Sequence, residues 1–74
     1  MVSITVESYA GSKADEYPLR FHIHGRKIEI NRIIDRWLTP GRRCFKVLAD
    51  DGNVYVLEYD EINDSWNLLT ISRP

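Results

Sequence analysis

Two histidines in a His22-x-His24 spacing, a single cysteine at position 44 and eight basic residues between Arg20 and Lys46 are the side chains of this 74-residue chain whose types and spacing invite chemistry. On a strand, His22 and His24 share a face, and that spacing can bring two imidazoles to one metal ion. A third ligand is needed. Cys44 and Glu29 are available, but neither stands at a motif spacing, so no metal and no cofactor is expected, and His22 and His24 remain weak candidates. The simpler reading is a solvated polar face shared with Arg20. Cys44 has Arg42 and Arg43 beside it, and guanidiniums near a thiol lower its pKa. No His with Asn or Asp can be placed around it, so an inert or partly exposed thiol is expected.

Other chemistries lack their residues. The four glycines, at 11, 25, 41 and 52, are dispersed and read as turn glycines, not as a phosphate-binding loop. Asp50, Asp51, Asp60 and Asp64 do not have the spacing of a calcium loop. No serine has a context that marks it as a nucleophile. The basic residues Arg20, Arg26, Lys27, Arg32, Arg36, Arg42, Arg43 and Lys46 are the strongest functional clue. They can line a surface for a polyanion or a partner, and Tyr17 and Trp37 can stack on bases where exposed. The segment from Arg20 to Lys46 holds these eight bases and two acids, a net of +6, whereas Val47 to Asp64 holds six acids and no base. The total of −1 weakens the case for nucleic acid and suggests that the two segments face one another, within one molecule or, as a weak salt-sensitive association, between two.

The elements that must carry these residues read as strands. Val2, Ile4 and Val6 alternate with polar residues, as on a half-buried strand. A mobile loop is expected around 10–17, where small and polar residues show no pattern. Pro18 suits the start of a strand or an edge. Leu19, Phe21 and Ile23, then Ile28 and Ile30, alternate around Gly25. A type II′ turn at Gly25-Arg26 would pair Phe21 with Ile30, Ile23 with Ile28, and His22 with Glu29 as an ion pair. The stretch 31–37 fits either a short helix capped by Asn31 or a continued strand with a bulge near Arg32, and its isoleucines favour the strand. Thr39-Pro40-Gly41-Arg42 reads as a turn. Two loop lengths fit the next hairpin. A two-residue turn at Asp51-Gly52 would put Phe45 beside Glu58. A three-residue loop at 50–52, with Gly52 left-handed, pairs Phe45 with Leu57 and Val47 with Tyr55, and the register that buries Phe45 is favoured. Trp66 and Leu68 continue the buried face. The expected fold is a single all-β domain, a small antiparallel meander of five to six strands curled into an open barrel or roll. Its core is Phe21, Ile23, Ile28, Ile30, Phe45, Val47, Tyr55, Leu57, Trp66 and Leu68.

One cysteine permits no internal disulfide and fits a reducing compartment. The N-terminus lacks the pattern of a signal peptide or lipid anchor, and no apolar run approaches a membrane span. A cytoplasmic protein is therefore expected.

Val6-Glu-Ser-Tyr-Ala-Gly, Glu16-Tyr-Pro, Phe21 with Gly25-Arg26, Ile33-Ile-Asp-Arg-Trp37, Phe45-Lys-Val with Asp51-Gly52, Tyr55-Val-Leu and Trp66-x-Leu68 occur in that order. With this series the chain resembles, over roughly Val6 to Leu68, a family of short bacterial cytoplasmic proteins with no assigned activity. It departs from the family at Glu58 and Tyr59, where basic or polar residues stand, so the resemblance implies no basic site there. The second half is also similar to a small C-terminal domain of inactive Y-family polymerase-like mutagenesis proteins, which implies accessory work around DNA or its proteins. Residues and resemblance together lead to one expectation, a non-enzymatic module that binds a protein partner. A nucleic-acid-associated accessory domain using segment 20–46 is the alternative, and a small enzyme or metal-binding domain comes third.

Overall fold

A computed structural model of the chain describes residues 2–9 and 17–72, so the loop expected around 10–17 lies, Tyr17 apart, outside the described residues. The described residues form six strands and no helix: β1 (Val2–Tyr9), β2 (Tyr17–Ile23), β3 (Arg26–Thr39), β4 (Arg42–Ala49), β5 (Val54–Asp60) and β6 (Ser65–Ser72). Each pairs antiparallel with the next. β6 returns to β1 through Val2↔Leu68, Ser3↔Asn67 and Ile4↔Trp66, closing the meander into a barrel. The core is one cluster: Ile4, Phe21, Ile28, Phe45, Val47, Ala49, Tyr55, Leu57 and Leu68 are buried, and Ile23, Ile30 and Trp66 pack against them partly exposed. Ile4, from the alternation of β1, joins the core, and Ala49 and Pro18 are buried residues that the alternation did not single out.

The β4–β5 hairpin follows the expected register, Phe45↔Leu57 and Val47↔Tyr55. Gly52 N–H donates to the Ala49 carbonyl at 3.1 Å, Ala49 N–H donates to the Asn53 carbonyl at 3.0 Å, and Gly52 has φ 83°. That is a type I turn closed by a left-handed glycine.

The β2–β3 hairpin differs from expectation by two residues. Phe21 pairs with Ile28 and Ile23 with Arg26, and the loop is His24-Gly25, both at positive φ (50° and 77°). This is a type I′ turn, which needs φ > 0 at both central residues, and histidine tolerates that region better than most side chains. The shift is even, so the same side chains still face the core, but His22 now stands opposite Lys27 and Glu29 opposite Arg20. Leu19 leaves the buried face. A register shift between Glu7 and Ser8 makes Leu19 the extra residue of β2, and Pro18 is buried in its place.

β3 is a strand throughout, with two bulges. Its register against β4 shifts between Ile30 and Arg32 and again between Ile33 and Asp35. Each bulge adds a residue and bends the strand. β3 thereby turns away from β2 and continues along β4. The β2–β3 ladder ends at Arg20↔Glu29. Beyond it β2 offers Pro18, which has no N–H to donate, and β3 offers the bulge at Asn31. From Asn31 to Thr39, one edge of β3 pairs with β4 and the other has no ladder partner among the described residues.

Candidate functional site

The barrel distributes the expected basic surface over three settings. On the outer face of β1–β2–β3, Glu7, Arg20 and Glu29 stand in register. Arg20 Nη1 lies 3.0 Å from Glu7 Oε1, and Arg20 Nε lies 2.5 Å from Glu29 Oε2. His22 Nε2 lies 2.9 Å from Glu7 Oε2. The carboxylate partner of His22 is thus Glu7 on β1, not Glu29, which the two-residue shift sets opposite Arg20. Hydrogen bonds from His22 first and Arg20 second hold the Glu7 carboxyl below the ordinary glutamate value of 4.5. A depressed folded pKa means that this contribution is complete above 4.5 and is lost as pH falls through the lower folded value. Wild-type melting temperature should therefore fall on acidification below 4.5, and Glu7→Gln should flatten that part of the curve. Parallel curves for the two proteins in that window would show that Glu7 does not contribute.

His24 occupies the turn, apart from that cluster, and no group of three or more metal-ligating side chains occurs among the described residues. The loop carboxylates accept local hydrogen bonds. Asp60 Oδ1 accepts from the backbone N–H of Ile62 (3.0 Å) and Asn63 (3.2 Å). Asp51 accepts from Asn53 and from the Tyr55 hydroxyl.

At the far end of the barrel, Arg43 Nε lies 2.9 Å from Glu61 Oε1, and Arg42 Nε lies 3.8 Å from Glu58 Oε1. β4 carries bases and β5 carries acids, so antiparallel pairing sets the two sequence blocks side by side, with Arg42 opposite Asp60. Cys44 is buried on the outer side of this pair, opposite Trp37 on β3 and Glu58 on β5. Burial, and then the Glu58 carboxylate, push its thiol pKa up against the weaker pull of Arg42. This reverses the effect expected from its basic sequence neighbours.

The bases left over are Lys27, in the strand just after the His24-Gly25 turn, and Arg32, Arg36 and Lys46 on β3 and β4. None of these four has an ion-pair partner among the described residues. Arg26 stands within the electrostatic reach of Asp51. Around Arg32 and Arg36 lie the exposed apolar side chains of the same strand: Ile34 (41%), Trp37 (39%) and Leu38 (77%). Register places Arg36 and Leu38 on the side of β3 that carries Ile33, continuing the inner face past the core, and Arg32 and Trp37 on the other. Two clefts flank the strand. One, of about 470 Å³, has Phe45 among its lining residues together with Arg36, Trp37, Leu38, Arg43 and Glu61. The other, of about 440 Å³, lies where β2 and β3 part, between Tyr17–Leu19 and Ile30–Ile33. Arg36 lines both. Tyr17, a candidate stacking residue, already stacks on Tyr9 at 5.2 Å, whereas Trp37 has no aromatic partner among the described residues.

The composite site is therefore half of β3: a backbone edge without a ladder partner among the described residues, two arginines and three exposed apolar side chains. The arginines were named from the sequence as part of the basic segment. The edge was not. Pro18 and the bulge near Arg32 were its visible signs, but a missing ladder shows only in three dimensions. No helix among the described residues is long and apolar enough to cross a membrane. No family model, curated protein or solved structure matches the chain.

Proposed function

We propose that this domain is a non-enzymatic protein-interaction module of the bacterial cytoplasm and that it engages its partner through the β3–β4 half of the barrel. The observation that carries this reading is the edge of β3 that has no ladder partner among the described residues, beside Ile34, Trp37 and Leu38. Large apolar side chains grouped on an exposed strand mark interaction surfaces, and tryptophan and arginine are the residues enriched where binding energy concentrates. The resemblance to a bacterial family without an assigned activity is compatible with this reading and supplies no reaction.

A photo-crosslinking amino acid at Leu38, with one at Lys27 as control, tests the proposal in cells. A discrete protein adduct should form from position 38, be absent from position 27, and be lost when Arg32 and Arg36 are changed to Ala. A nuclease-sensitive adduct, or equal adducts from both positions, would overturn it.

A further inference from the structure

We infer that the partner supplies an extended acidic segment, which adds to the free edge of β3 as a further strand. The inference rests on the proposed interaction-module reading and specifies its mode and chemistry. The edge from Asn31 to Thr39 runs nine residues, about 30 Å at roughly 3.3 Å per residue. Its outward N–H and C=O groups are a template for another strand. Side chains of an added strand alternate between two faces, and β3 presents a cation and a large apolar group on each: Arg32 and Trp37 on one, Arg36 and Leu38 on the other. An incoming strand that mixes carboxylates with apolar residues finds a complement on both faces. Neither arginine has an acidic partner among the described residues. Guanidinium–carboxylate pairs are charge-assisted and can be bidentate. The cleft beside Phe45 has room for an apolar side chain next to the ladder.

A second copy is the weaker occupant. When two identical edges pair antiparallel about a two-fold axis, each central residue meets its own symmetry mate. Centred on Asp35 or Arg36, that register opposes like charges, which is destabilising. The bulges at Asn31 and Ile34 further blunt self-pairing. An acidic segment from another protein is not tied to a two-fold register: it can set an apolar residue opposite Asp35 and carboxylates beside Arg32 and Arg36, and it can follow the twist of the bulges.

The test selects a displayed library of random dodecapeptides against the full chain. Enriched peptides, labelled, are then measured by fluorescence anisotropy. Acidic residues interspersed with apolar ones should dominate. Affinity should drop at least about tenfold, or about 1.4 kcal/mol, with the Arg32→Ala, Arg36→Ala double variant, whose exposed substitutions leave the melting temperature unchanged. A similar drop should follow N-methylation of alternate peptide amides, which removes ladder donors and leaves the side chains. Peptides that bind but tolerate N-methylation, or that lack acids, would overturn strand addition while leaving an interaction module. Absence of any enriched binder would remove both readings. A stable dimer in sedimentation, dissolved by Leu38→Glu, would assign the edge to a second copy instead.

Discussion

Phe45→Ala should destabilise the domain by about 3–5 kcal/mol, the range for removing a buried aromatic ring. Phe45 is 3% exposed, lies opposite Leu57, and its ring centroid is 5.7 Å from that of Trp66. The barrel wall cannot collapse into the space without breaking the ladders on both sides of β4, so most of the cavity should persist. An unstapled core of this size supplies roughly 3–5 kcal/mol in total. The substitution therefore removes most of the folded population near room temperature. At about 4–8 °C per kcal/mol for a small domain, any residual transition should move down by more than about 12 °C. Phe45→Leu, which keeps much of the volume, should cost far less, under about 1.5 kcal/mol if the site repacks. Thermal melts followed by far-ultraviolet circular dichroism measure both. An alanine variant that melts within a degree or two of wild type would show that Phe45 is not in the core and that the β4–β5 register is wrong.

That register was legible through burial. Asp51-Gly52 also suits a two-residue turn, but that turn slips the register by one residue, sets Phe45 beside Glu58 and exposes it. At the β2–β3 hairpin burial had no such power. The alternatives differed by two residues, which preserves every face, so only turn chemistry could discriminate. Gly25 fits the first position of a type II′ turn or the second of a type I′ turn, and the structure takes the second, with His24 left-handed. One consequence is that the partner of His22 is Glu7 and not Glu29.

The helix-like spacing at 31–37 has a similar physical origin. Inward positions along β3 are Ile30, Ile33 and Arg36, opposite Ala49, Val47 and Phe45. Each bulge stretches the strand period from two to three, and a period of three imitates a helix. The β-branched composition and the strand directly before it argued for the strand. The same bulges bend β3 away from β2, so the feature that blurred the reading of the sequence also creates the free edge. The charge division was plain in the sequence, but its cancellation was not. It depends on β4 and β5 being neighbours with opposite signs, and on Glu7, distant in sequence, reaching Arg20.

Nucleic-acid binding at about 0.15 M salt should accordingly be weak. Of the eight bases in segment 20–46, Arg20, Arg42 and Arg43 face carboxylates of the same chain. Lys27 lies toward the opposite end of β3 from Arg36. A duplex docking on the outer face of β3–β4 would reach Arg32 and Lys46, with Arg36 on the other side of the strand, so at most about three phosphate contacts. Counterion release then gives a slope of roughly −2.7 in log affinity against log salt, so any binding should fall about 40-fold between 50 and 200 mM. Starting from so few contacts, little should survive at physiological ionic strength. Weak self-association through opposed basic and acidic faces should diminish with salt in the same way. Titration with single- and double-stranded oligonucleotides at two salt concentrations, beside sedimentation in the same buffers, measures both effects. Sub-micromolar binding at about 0.15 M salt, lost when Arg32, Arg36, Arg42 and Arg43 are changed to Ala, would defeat the expectation. It would mean that the ion pairs of Arg42 and Arg43 open to receive phosphates, and the basic segment would then be read as a polyanion surface.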